Sequence, residues 1–93
     1  MFERILNQLR EKIRTRQYVM TLHANEEMDE DNLTIFDVES VVLSGTIIER
    51  QKDHATGEWK YLVKGETLTG DLVMVVTKIS PAGKLIFVTV FRE

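Results

Sequence analysis

The hydrophobic pattern of the chain changes period once, at Gly45, and that change bounds the folds open to it. Beyond Gly45, residues 46–52, 59–65, 72–79 and 85–92 are rich in Val, Ile, Thr and aromatics, the composition of strands. The stretches between them are short and carry turn chemistry: Asp53-His54-Ala55-Thr56-Gly57, residues 66–70, and Ser80-Pro81-Ala82-Gly83. In the last of these, Pro81 suits the second position of a β-turn and Gly83 the fourth. A connector of this length joins only antiparallel neighbours, so the second half is expected to be a four-stranded antiparallel meander.

Before Gly45 the spacing is helical. Phe2, Ile5, Leu6, Leu9 and Ile13 fall on one stripe, predicting an amphipathic helix over residues 2–16. Tyr18-Val19-Met20 is a short β-prone run, read as a brief strand or an extended lead into the next helix. Thr21 can cap a helix over residues 22–31, with Leu22 and Met28 on a thin apolar face. Thr34 and Asp37 form a variant capping box for a third helix, whose apolar face is Val38, Val41 and Val42. Gly45 is expected to end that helix as a residue tolerant of positive φ. The class is therefore α+β, helices first and sheet second, in one domain spanning 1–93.

Two strands predict more than one-sided burial. Leu72-Val73-Met74-Val75-Val76 barely alternates, and the last strand carries Leu85, Phe87 and Phe91 on one side against Ile86, Val88 and Val90 on the other. Apolar residues on both faces call for cover on both faces. The helices can divide between the two sides, or a partner chain or second copy can cover one of them.

Composition narrows the chemistry. The chain has no cysteine, which excludes disulfides and thiolate metal sites and fits a reducing compartment. The charged N-terminus is unlike a secretory leader, and no apolar run approaches the roughly 20 residues of a membrane span, so a cytoplasmic location is expected. His23 and His54, the two histidines, stand far apart in the sequence, and no metal or other cofactor is expected. Residues 26–39 hold seven acids and no Lys or Arg, leaving 8 of the 15 acids against all 12 bases elsewhere. That imbalance suits either a basic body that binds RNA or a solvated acidic helix face.

Three groups of residues could carry chemistry. His23, in the first turn of a short helix, is a candidate proton-transfer group; equally it can be tied to a neighbouring helix or simply exposed. Arg50 and Lys52 share the parity of Ile48, Lys60 and Lys64 that of Leu62, and Arg92 ends the last strand. Such cations can hold phosphate and stabilise a phosphoryl-transfer transition state, or they form an ordinary solvated sheet face. Trp59 and Tyr61 can stack on bases or pack in the core.

These residues occur in an order that resembles a known family. His23-Ala24-x-x-x-Met28, Leu33-Thr34, Asp37-Val38, Gly45-x-Ile47-Ile48-Glu49, Tyr61-x-Val63-x-Gly65 and Val88-Thr89-Val90 resemble the small bacterial proteins called domain of unknown function 4258. The resemblance covers residue 18 to the C-terminus, about four-fifths of the chain. It implies kinship with RelE/ParE-like and MqsR-like toxins and a RelE-like fold. It further implies a metal-independent mRNA endoribonuclease, neutralised by a cognate antitoxin, commonly of zinc-finger type. In that picture His23 and Tyr61 are the catalytic pair, and Arg50, Lys60, Lys64 and Arg92, chosen by charge and strand position, bind the substrate. The chain departs from the family pattern at Glu27 and Asp31, where arginines are usual, and at Phe91, where a tyrosine is common. Two anions in place of two cations weaken any phosphate path there. That departure keeps a second expectation open: a non-catalytic module that binds a partner through its sheet or its acidic helix.

Overall fold

A computed structural model describes residues 1–93. Three helices, α1 (Glu3–Arg14), α2 (Leu22–Glu30) and α3 (Ile35–Ser44), precede or interleave with five strands. The strands are β1 (Tyr18–Met20), β2 (Thr46–Lys52), β3 (Trp59–Glu66), β4 (Leu72–Ile79) and β5 (Leu85–Arg92). They form one sheet in the order β1-β5-β4-β3-β2. The α+β class and the antiparallel meander β2–β5 are as expected. The strand count is corrected from four to five and the sheet from antiparallel to mixed, because β1 pairs in parallel with β5. Three residues cannot stand as an isolated strand; Tyr18, Val19 and Met20 take the free edge of β5, opposite Leu85, Ile86 and Phe87. The parallel sense is allowed because the whole of the chain from α2 to β4 separates the two strands.

The helix boundaries follow local hydrogen bonding. Thr21 Oγ1 accepts from the Ala24 N–H at 3.1 Å and begins α2. The expected capping box opens α3: Thr34 Oγ1 accepts from the Asp37 N–H, and the Asp37 carboxylate accepts from the Thr34 N–H. The first two helices end in the same way. Arg16 and Asn32 take left-handed conformations at φ 56° and 55°. The following N–H groups then reach back across the last turn, Gln17 to the Lys12 carbonyl and Leu33 to the Met28 carbonyl.

Gly45 ends α3 for a different reason from the one its type suggested. Its φ is −93°, so no left-handed geometry is needed. A Cβ there would meet the carbonyl oxygens of Lys64 and Val41, and one on Gly65 would meet the Val41 oxygen and approach the Gly45 Cα at 2.9 Å. The two glycines let α3 and β3 come into backbone contact. Arg10 of α1 then donates to the carbonyls of Val42 and Gly45, a cation at the negative pole of α3.

All three helices cover the same face. Leu6, Leu9 and Ile13 of α1, Ala24 and Met28 of α2, and Val38, Val41 and Val42 of α3 join Tyr61, Val63, Val73, Val75, Leu85, Phe87 and Val90 in one buried cluster. Leu22, expected on the apolar stripe of α2, is 73% exposed; the small Ala24 takes that role. The strand residues of opposite parity, Leu62, Met74, Val76 and Ile86, are only half-buried, and no helix lies over them. No helix is long and apolar enough to cross a membrane.

Candidate functional site

His23 lies in the first turn of α2, which packs against β5. Its side chain is 68% exposed, and Nε2 stands 3.2 Å from Glu27 Oε1, one helical turn on. The same carboxylate oxygen accepts from the Val90 N–H of β5 at 3.1 Å. That N–H follows a register irregularity in β5: Val76 pairs with Thr89 but Thr77 with Phe87, so Val88 is the extra residue. Glu27 therefore joins α2 to β5 and holds the imidazole edge, while the rest of the ring faces solvent. A carboxylate so placed orients the imidazole by holding one of its ring nitrogens.

The remaining residues singled out by sequence do not gather around His23. Tyr61 is 9% exposed and packs edge-on to Phe2, ring centroids 6.3 Å apart, as part of the core. Arg50 pairs opposite Tyr61 and Lys52 opposite Trp59, so these cations share the helix-covered face. Their guanidinium and ammonium groups lie over the Trp59 ring at 4.1 and 5.6 Å. Lys60 and Lys64, with Lys78, point to the uncovered face, opposite to Tyr61. The expectation that Ile48, Arg50 and Lys52 share a face is corrected by a second irregularity, between Ile47 and Glu49, which makes Ile48 the extra residue of β2. Strands lie about 4.8 Å apart, so β5, beside His23, is about 10 Å from β3 and about 14 Å from β2.

Most of the candidate cations already have anionic partners. Lys64 Nζ lies 2.9 Å from Glu93, Lys78 Nζ 3.5 Å from Glu58, and Lys60 Nζ 3.9 Å from Asp53. Hydrogen bonding from the Ala55 N–H holds the Asp53 carboxyl below the usual range, keeping it charged beside Lys60. Arg92 donates to the Asp31 carbonyl through Nε and Nη2 and contacts Asp71 at 3.1 Å. It thus caps the C-terminal end of α2, where a cation complements the helix dipole. His54 is exposed in the β2–β3 turn, away from α2. No three His, Asp or Glu side chains come together in a metal-binding group.

Two surfaces lie apart from these residues. The first is the uncovered sheet face, where Leu62, Met74, Val76, Ile86 and Phe91 continue to the more exposed Val19 and Leu72 at its margins. The second is a groove of about 420 Å³ between the outer side of α3 and the β3–β4 turn, lined by Phe36, Glu39, Ser40, Leu43, Ser44 and Leu68. Apolar residues on both faces of β4 and β5 signalled the first; nothing local in the sequence brings Leu68 to α3.

A mixed five-stranded sheet with helices on one face only, and paired charges around its open side, defines a small α+β domain with a free surface. The chain belongs to the family described as "Domain of unknown function (DUF4258)", which it matches over residues 20–92. No curated protein and no solved structure matches the chain.

Proposed function

We propose that the protein works by binding another protein on the uncovered face of its sheet, as the partner-held half of a toxin–antitoxin-type pair. One observation carries the reading: an apolar strip crosses four strands with no helix over it, and the lysines at its border are already matched by Asp53, Glu58 and Glu93. A neutral apolar surface is a protein-binding surface, because its desolvation costs little and the apolar area removed from water contributes about 25 cal/mol per Å². Phosphate binding asks for the opposite, cations left free of local carboxylates. The test is to co-express the chain with the products of its neighbouring genes and measure complex formation by size-exclusion chromatography. Val76→Lys is expected to abolish the complex while preserving the melting temperature. A complex that survives this change, or no complex with any neighbour, refutes the reading.

The His23–Glu27 pair favours a second reading, a metal-independent endoribonuclease. An exposed imidazole fixed by a carboxylate can take a proton from a 2′-hydroxyl, the step that starts RNA cleavage. Under this reading the purified chain shortens single-stranded RNA, and His23→Ala abolishes the cleavage. Tyr61, buried on β3, is a packing residue in either case.

A further inference from the structure

The groove beside α3 is a second surface, separate from the uncovered sheet face. Phe36 and Leu43 lie seven residues apart on the outer side of α3, with Ser40 between them. They are 58% and 41% exposed, and Leu68 across the groove is 69% exposed. The two serines are turned into the fold: the Ser40 and Ser44 hydroxyls both donate to the Glu66 carbonyl, leaving a floor without tall side chains. The far wall is fixed as well. Leu68 N–H donates to Asp37 Oδ1, and the β3–β4 turn is closed by the Gly70 N–H on the Thr67 carbonyl and by the Thr67 hydroxyl. A preformed apolar trough on a rigid helix needs little reorganisation to accept a ligand.

The charge at the trough is acidic. Glu39 of α3 lines it, and Asp37, in the first turn of that helix, is tied to its far wall through the Leu68 N–H; Arg92, the nearby base, is already paired with Asp71. Asp37 is held ionised well below the ordinary carboxylate range, chiefly by the Thr34 N–H. Glu39 remains an acceptor, taking the Tyr18 hydroxyl hydrogen at 2.6 Å. A second copy of this surface would bring acids against acids, which disfavours a symmetric dimer here.

We infer that the groove between α3 and the β3–β4 turn docks a basic amphipathic helix of a partner protein, with two or three apolar side chains in the trough and Lys or Arg along its flanks. Apolar anchors at positions i, i+3 or i+4, and i+7 span the distance that separates Phe36 from Leu43. The flanking cations meet Glu39 in the lining and Asp37 at its edge, which steers association and makes it salt-dependent.

The experiment uses two fluorescein-labelled 16-residue helical peptides with the same leucines at i, i+4 and i+7. One carries lysines on the flanks and the other glutamates. Binding to the whole protein is followed by fluorescence anisotropy. The lysine peptide is expected to bind at least tenfold more tightly than the glutamate peptide and to weaken as salt rises. Leu68→Asp and Phe36→Ser, both at exposed positions, are each expected to weaken it tenfold or more. Hydrogen exchange on the unaltered protein gives a readout that depends on no variant: protection is expected in α3 and residues 66–72. Equal binding of both peptides, no binding of either, or protection on β3–β5 instead overturns the groove assignment. That last pattern would leave the sheet-face reading intact, whereas loss of the Val76→Lys effect alone would remove that reading and leave this one.

Discussion

Replacing Gly65 with alanine should be among the most damaging single-methyl changes in the chain. The added carbon would meet the carbonyl oxygen of Val41 and stand 2.9 Å from the Gly45 Cα. Both are backbone atoms, one inside α3 and one at its C-terminal cap, so neither can turn aside as a side chain can. Relief requires α3 to lift from β3, which would open a void beneath Val38, Val41 and Val42, all fully buried. Overpacking a tight core costs about 1–3 kcal/mol, and with the added loss of contacts beneath α3 a value of about 3 kcal/mol or more is expected. A domain of this size has only about 5–14 kcal/mol in total. With a urea slope of about 1.5 kcal/mol per M, the unfolding midpoint should fall by about 2 M. Gly57→Ala is the control. Gly57 has φ +74°, with nothing within 4 Å of an added Cβ, so the change tests backbone strain alone and should cost about 1 kcal/mol. If Gly65→Ala destabilises no more than Gly57→Ala, the close approach of α3 and β3 is not what requires a glycine there.

Three further outcomes follow from local geometry. Arg16, at φ 56°, occupies the left-handed position that ends α1; Arg16→Gly should stabilise by about 1 kcal/mol and raise the melting temperature by several degrees, about 4–8 °C for a domain of this size. Tyr18 is pushed up to about 12, first by burial and then by its hydrogen bond to Glu39 and that carboxylate's charge. Its folded-state value lies above the unfolded one, so its contribution is complete below about pH 10 and is lost as pH rises towards about 12; ultraviolet titration of tyrosinate, compared with Tyr18→Phe, measures this. Asp37 is displaced in the opposite sense, so its stabilisation is present above the unfolded value of about 3.9 and is lost as pH falls below it; Asp37→Asn should flatten acid unfolding and cost about 1 kcal/mol at neutral pH by weakening the capping box.

The elements themselves were legible because each rests on short-range rules. Thr34 and Asp37 announce α3, Pro81 and Gly83 announce the β4–β5 turn, and period-2 alternation announces β3. In that turn the Gly83 N–H donates to the Ser80 carbonyl, as the positions of Pro81 and Gly83 require. The pairing of β1 with β5 was not legible. It joins residues separated by most of the chain, and three residues carry too little pattern to reveal their partner. The placement of all three helices on one face was likewise a tertiary outcome. An apolar run such as Leu72–Val76 reads the same whether its second face meets a helix, a partner or water.

The cations were misplaced for a more specific physical reason. A strand's side chains alternate only while its ladder is unbroken, and one extra residue reverses every position beyond it. Ile48 is that residue in β2: Ile47 still pairs with Val63, but Glu49 pairs with Leu62 and Arg50 with Tyr61. Read by parity, Arg50 belongs with Ile48; past the irregularity it lies over Trp59 on the helix-covered face, while Lys60 and Lys64 stay on the other. Val88 in β5 does the same near the opposite edge, where the Val90 N–H, beyond the end of β1, is taken by Glu27. The cations that sequence parity assembled into one phosphate-binding surface are therefore divided between two faces by two single-residue insertions. What remains continuous is the apolar strip on the uncovered face, where the Val88 insertion itself sets Phe91 opposite Met74. That continuity, together with the carboxylates beside Lys60, Lys64 and Lys78, weighs towards recognition of a protein over recognition of a nucleic-acid backbone.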